Sequence, residues 1–304
     1  ENTGIGVSAL TANTTGVKSV AVGYYALQSQ TTNGYNVAVG AYAGQDTTTG
    51  QYNVFVGLEA GANITTGEYN VAVGSQSLKT ATTASNNVAI GAAALLPTTT
   101  ATNNIAIGVN AQRYNEDGGD NVAIGRDALK TNVSGVSNVA IGLEALEKNL
   151  ANDNVAIGKR CLEENTTGHS NTAVGRSALE ANTTQNDNVA IGFQAMAFAA
   201  SERSTIIGCH AGENNNLVGD NNTAIGFETL VGTTTGYDNA VVGAYCGKDI
   251  SGGIGNALLG KSAGTDITTG NYNVAMGFDA LKALTTGQYN TAVGSYSLAT
   301  NIGN

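Results

Sequence analysis

Asn36-Val37-Ala38-Val39-Gly40 decides the fold, because the same five-residue phrase returns along the whole chain. With its glycine as an anchor, equivalents stand at Gly6, Gly23, Gly57, Gly74, Gly91, Gly108, Gly125, Gly142, Gly158, Gly175, Gly192, Gly208, Gly226, Gly243, Gly260, Gly277 and Gly294. These 18 anchors leave 17 spacings, of which 14 are 17 residues, two are 16 and one is 18. A period this regular marks a solenoid, in which each repeat is too short to bury a core without its neighbours. Length alone would suggest about two domains. The repeat predicts instead one continuous solenoid domain over 1–304.

Within one repeat, the residue before the anchor is aliphatic in every copy, and Val, Ile or Thr mostly stands two residues earlier. Ala lies between them in 13 of 18 copies, with Phe55, Ile206, Val241 and Leu258 as bulky exceptions. Apolar, small, apolar predicts a short strand whose two large side chains share a face. On that reading Val37 and Val39 face the interior and Ala38 faces out. The glycine then turns the chain, where positive φ or the lack of room for a Cβ excludes other residues.

A second apolar patch follows three and four residues after the anchor, as in Ala26-Leu27, Ala94-Leu95 and Ala128-Leu129, and Gly replaces its Leu five times. Loops such as Thr14-Thr15-Gly16 and Thr65-Thr66-Gly67 close the coil with turn chemistry. The expected fold is an all-β parallel β-roll solenoid of 18 coils of about 17 residues, each with two short strands. Asn opens the first strand in 16 of 18 copies, and Asn36, Asn53, Asn70, Asn87, Asn104 and Asn121 are expected to form a structural ladder of stacked amides. Tyr35, Tyr52, Tyr69, Tyr272 and Tyr289 precede that Asn and are expected to stack as an exposed aromatic ladder.

The formal charge is −10, with 23 acidic and 13 basic residues and no Lys/Arg cluster, which makes nucleic acid and anionic membrane poor partners. No apolar run approaches the ~18 residues of a membrane span. Glu1-Asn2-Thr3-Gly4 begins no signal peptide, so a mature or excised segment, or export without a cleaved leader, is expected. Cys161 and Cys246 replace the usual alanine three residues after their anchors and lie five coils apart, roughly 24 Å at one β spacing per coil and beyond disulfide reach. They read as buried small thiols, while Cys209 faces elsewhere. His169 and His210 sit in different coils and phases, so no metal cluster or histidine-based triad is expected, and no cofactor. Coils this short leave no room for the long loop insertions from which β-helical enzymes build sites, and the chain reads as a non-enzyme. Two rival solenoids fail: the hexapeptide helix needs an aliphatic residue six beyond Val39, where Gln45 stands, and the calcium-binding nonapeptide appears only as Gly118-Gly119-Asp120.

The unit Asn-Val-Ala-Ile-Gly-x-x-Ala-Leu, repeated in phase over essentially the whole chain, resembles the head repeat of trimeric autotransporter adhesins, the YadA-like β-roll, and repeats of phage tail fibres. The Thr-Thr-Gly loop makes these repeats longer than the family's usual ones, and the family's neck, stalk, anchor and chaperone parts are not in the sequence. The resemblance implies a left-handed roll and a homotrimer. An outward alanine column, Ala38, Ala72, Ala89, Ala106, Ala123 and Ala140, would supply the trimer stripe, since a contiguous apolar stripe marks an association surface.

These readings lead to an extracellular, cell-surface or virion-surface fibre segment, a homotrimeric rod for attachment to a host surface, matrix or glycan through avidity. The alternative is a self-assembling filament or spacer without its own ligand, stacked end to end through ends that carry no evident cap. A remote alternative is an ice-binding solenoid built on the threonine columns. Charge gathers in the middle of the chain, from Arg113 to Glu164, where a solvated face is expected. The regularity breaks most at Phe193 to Ala200 and in the 18-residue coil that follows, so Phe193, Phe198, His210, Asn214, Asn215 and Asn216 form the candidate contact region.

Overall fold

The computed structural model describes residues 1–96, 98–198, 200–213, 219–232 and 235–300. Its contacts group into two units, Glu1–Asp153 and Asn154–Asn304. Each unit is an all-β parallel solenoid that holds nine three-residue strands among the described residues, the first unit running from β1 (Thr3–Ile5) to β9 (Val139–Ile141) and the second from β10 (Val155–Ile157) to β18 (Thr291–Val293). Successive strands within a unit pair in parallel at matched repeat positions, as in Val37↔Val54, Ala38↔Phe55 and Val39↔Val56. The 18-residue spacing leaves that register intact, with Thr205↔Thr223 and Ile207↔Ile225, so length changes are absorbed in the loops.

Among the described residues each coil holds one strand, not the expected two. The second apolar patch is a run of turns, because φ alternates in sign along it: Tyr25 lies at 59° and Leu27 at 47°, in the left-handed region. Such a backbone cannot continue a pleated strand, yet it still bonds from coil to coil, with Leu27 N–H donating to the Ala43 carbonyl at 3.0 Å. The anchor glycine satisfies both of its expected reasons. At Gly40 φ is +139°, and a Cβ would lie 2.4 Å from the Gly57 carbonyl oxygen.

The orientation of the strand is the reverse of the sequence expectation. Ala38, Ala72, Ala89, Ala106, Ala123 and Ala140 are all completely buried, so they form an inner wall and not an exposed stripe. Val37 is half-buried and Val39 is 39% exposed, so the large side chains of the strand point outward. The cause is the narrowness of the roll. The leucine four residues after the anchor, as at Leu27 or Leu129, projects from the opposite wall and is fully buried, leaving space for only a methyl group across from it. The bulky exceptions Phe55, Ile206, Val241 and Leu258 are buried in the same inner column.

Asparagines line the rest of the interior, and Asn36, Asn53, Asn70, Asn87, Asn104 and Asn121 are fully buried. The Asn36 Oδ1 accepts the backbone N–H of Asn53 at 2.9 Å, and the Asn53 Nδ2 donates to the Gly67 carbonyl at 2.9 Å. The ladder is thus chiefly amide to backbone, with direct amide–amide bonds such as Asn70 Nδ2 to Asn53 Oδ1 at 3.1 Å added to it. A second buried column, unrecognised in the sequence, runs beside it seven residues after the anchor. In the first unit Asn115 and Asn104 both donate to the Gly118 carbonyl, and Asn132 and Asn121 both donate to that of Gly135. In the second unit Asn165 and Asn154 share the Gly168 carbonyl in the same way.

Candidate functional site

The outward strand positions build an ordered apolar surface on each unit. Two columns, one at the first and one at the third residue of every strand, stand side by side and carry no charged residue. Val20, Val39, Ile90, Ile105 and Ile124 are among the members more than a third exposed in the first unit, and Ile157, Ile191, Ile225, Leu259, Val274 and Met276 in the second. The face is uniform in the first unit, where Val and Ile predominate. In the second it is sculpted, because Ala240 and Ala257 replace the usual Val, Ile or Thr in β15 (Ala240–Val242) and β16 (Ala257–Leu259). A depression of about 240 Å³ results, lined by these two alanines with Val242, Leu258, Leu259, Val274, Ala275 and Met276.

The corner after the strand carries the aromatic surface. Of the candidate contact residues, Phe193 and His210 come together edge to face at 5.1 Å between ring centroids. The ladder continues to Phe227 at 6.4 Å and from there to Tyr245 at 5.4 Å, two members that sequence reading missed although they occupy the same two positions after their anchors. Arg176 lies over the Phe193 ring and Lys248 over that of Tyr245, while Glu213 hydrogen-bonds the His210 Nδ1. Phe198 is exposed, and among the described residues no ring contact joins it to this ladder. Asn214, Asn215 and Asn216 lie outside the described residues.

The other surface columns are spent on contacts between coils. Tyr35, Tyr52 and Tyr69 stack at 5.0 Å between successive centroids, with Lys18 over Tyr35, and Tyr272 stacks on Tyr289 at 5.4 Å. At another corner Tyr24 packs against Tyr25 and Tyr42, and its hydrogen bond with Tyr25, with lesser contributions from burial and from both neighbours' charge, pushes its phenol up to about 12. In most loop pairs the first threonine donates its Oγ1 to a carbonyl of the next coil, as Thr48 does to Thr65 at 3.1 Å. Several mid-chain charges pair within and between coils, with Lys130 bridging Asp127 of its own coil and Glu147 of the next, and Arg160 bridging Glu163 of its own coil and Glu180 of the next.

Among the described residues no three His, Cys, Asp or Glu side chains gather closely enough to hold a metal ion. Cys161 and Cys246 are buried and unpaired, and burial pushes both thiols up to about 12, while Cys209 is half-buried. Among the described residues no helix is long and apolar enough to cross a membrane. No family model, curated protein or solved structure matches the chain.

Proposed function

We propose that the chain is a non-enzymatic segment of an extracellular or virion-surface fibre, associating with copies of itself as a homotrimer and presenting its remaining surface for attachment. The observation that carries this reading is the outward aliphatic face, which replaces the alanine column as its support. At roughly 50 Å² of exposed surface per side chain, the eighteen outer strand residues of one unit present on the order of 900 Å², comparable to the ~800 Å² each partner contributes to a stable interface. A charge-free surface of that size, left in water, disfavours a free monomer and favours burial against another copy. Light scattering coupled to size exclusion tests this directly. A discrete trimer supports the reading, and a monomer at all concentrations removes its main support.

One observation favours the spacer reading over ligand presentation. The tyrosine columns and the threonine hydroxyls, the groups best suited to repeated weak contacts, are occupied by neighbouring coils. Saturable binding of the trimer to matrix-coated surfaces or glycans would select attachment, and its absence across such a panel would select the spacer. The same use of the threonine hydroxyls weighs against ice binding, which needs them free and regularly spaced.

A further inference from the structure

We propose that the stacked tyrosines are a covalent cross-linking site, at which one-electron oxidation joins the rings of neighbouring coils as dityrosine. The proposal does not depend on self-association, because both rings of each link belong to one chain. Tyr35, Tyr52 and Tyr69 stand five residues before Gly40, Gly57 and Gly74, and all three share a left-handed φ, of 64°, 58° and 58°. Backbone bonds tie this position to the preceding coil, with the Tyr35 N–H donating to the Val17 carbonyl at 3.0 Å and that of Tyr69 to the Gln51 carbonyl at 3.2 Å. The shared conformation sets the rings one above another, 5.0 Å between centroids at each step, with planes 21° and 9° apart. All three rings are exposed. In the second unit Tyr272 and Tyr289 repeat the arrangement, both exposed, with centroids 5.4 Å and planes 12° apart.

Coupling needs two oxidised rings to meet. A tyrosine with no other tyrosine beside it meets its partner only by collision with another chain, whereas a stacked ring already has one at hand, and holding reactants together replaces a bimolecular step with an intramolecular one. The oxidant is hydrogen peroxide acting through a haem peroxidase, which takes one electron from each ring while each phenol gives its proton to water. The unpaired electron is shared between the phenol oxygen and the ortho carbons, so one ortho carbon of each ring contributes an electron to a new C–C bond. The hydrogen on each joined carbon then moves as a proton to the oxygen and restores both phenols. Two tyrosines and one peroxide thus give one dityrosine and two waters. Exposed side chains change rotamer far faster than the backbone rearranges, so the rings turn from face to face to edge to edge while the coils stay in place. Tyr25 and Tyr42 are parallel too, at 5.8 Å, but both are half-buried and Tyr24 packs edge-on against them. Tyr114 and Tyr237 are exposed, and among the described residues neither makes a ring contact with another tyrosine, so they serve as internal controls. Each link joins residues 17 apart in sequence and closes one coil, which restrains the unfolded chain as a disulfide across the same loop would.

The experiment treats the full chain with hydrogen peroxide and a haem peroxidase, as an equal mixture of heavy-isotope-labelled and unlabelled chains refolded together, and reads the linked peptides by mass spectrometry. Peptides joined with the loss of two hydrogens should pair Tyr52 with Tyr35 or Tyr69, and Tyr272 with Tyr289, and both halves of each should carry the same label. Tyr52→Phe removes a hydroxyl and keeps a ring in the stack, so the unfolding midpoint before oxidation should stay close to wild type. It leaves Tyr35 and Tyr69 two coils apart, roughly 10 Å, and should cut the links of this trio by roughly tenfold or more while leaving Tyr272–Tyr289 as it was. Tyr114→Phe should change neither. Oxidised wild type should then unfold at a higher denaturant concentration than oxidised Tyr52→Phe, and equal midpoints would overturn the restraint that the link is argued to impose. Absence of dityrosine, links that mainly pair labelled with unlabelled chains, links through Tyr114 or Tyr237 in equal yield, or full yield in Tyr52→Phe would each overturn the cross-linking site. None of these results touches the fibre reading, which stands or falls on the oligomeric state.

Discussion

Phe55 occupies an inner position that alanine holds in most coils, and two glycines make the room for it. A Cβ on Gly61, on the opposite wall of the same coil, would lie 2.4 Å from the Phe55 ring, and one on Gly44, in the preceding coil, 2.6 Å. The same exchange recurs at Leu258, whose Cδ1 would stand 2.9 Å from a Cβ on Gly264. A fixed interior volume is thus shared differently between facing walls, large against none or small against large. Phe55→Ala should destabilise the protein by about 3–5 kcal/mol through the cavity it leaves, read as a lower midpoint in chemical denaturation. Adding Gly61→Leu to that variant should recover much of the loss, because leucines at this position elsewhere adopt the same left-handed φ, as Leu78 does at 50°. Gly61→Leu alone should be worse than either. Equal loss in the single and double variants would mean that the two walls do not share one cavity.

The coil is the element on which both ladder and orientation depend. Asn104 is fully buried, donates through Nδ2 to the Gly118 carbonyl at 2.9 Å and accepts the Asn121 N–H at 3.1 Å. Asn104→Ala leaves both backbone groups without these partners and should cost about 1–3 kcal/mol in denaturation, more than the deletion of an exposed side chain. Orientation makes a second contrast in the next coil. Ala123→Leu should overpack the interior by about 1–3 kcal/mol, while Val122→Thr, on the outer face, should leave the unfolding midpoint of the monomer nearly unchanged. The period, the parallel pairing and the anchor glycines were readable from sequence because each is a repeated position with one physical cause. Which side of the strand faces in was not readable from the strand alone, since Val-Ala-Val presents a large and a small face equally to either side. The deciding signal lay on the other wall: the five coils with Gly in place of Leu, at Gly44, Gly61, Gly212, Gly247 and Gly264, lie in or next to coils with a bulky residue at the alanine position. The aromatic corner was half seen for a similar reason. Phe193 and His210 stand in a visibly irregular stretch, whereas Phe227 and Tyr245 sit in regular coils and join them only through the stacking of coils.

In the whole molecule, stability is close to a sum over neighbouring coils, and each unit holds its own ladder of strands and asparagines. All three cysteines lie in the second unit, which gives alkaline pH a local target. Burial holds Cys161 and Cys246 up to about 12, above the ordinary value of 9.0, so the folded state prefers both thiols protonated. A group whose folded pKa is raised contributes its stability fully below the unfolded value and loses it as pH rises through the folded one, which sets the window between pH 9 and about 12. Alanine is the residue that most coils place at these two positions, so Cys161→Ala with Cys246→Ala should fold normally. Wild type and this variant should then unfold at similar denaturant concentrations at pH 8. Wild type should fall progressively below the variant as pH climbs from 9, since only it must bury or expose thiolates. Hydrogen exchange at pH values inside the window should locate the loss of protection around the coils of Cys161 and Cys246, with amides of Glu1–Asp153 no more affected in wild type than in the variant. A difference spread evenly over both units would show that the coils unfold as one cooperative block, against the neighbour-by-neighbour additivity that a repeat of this kind implies.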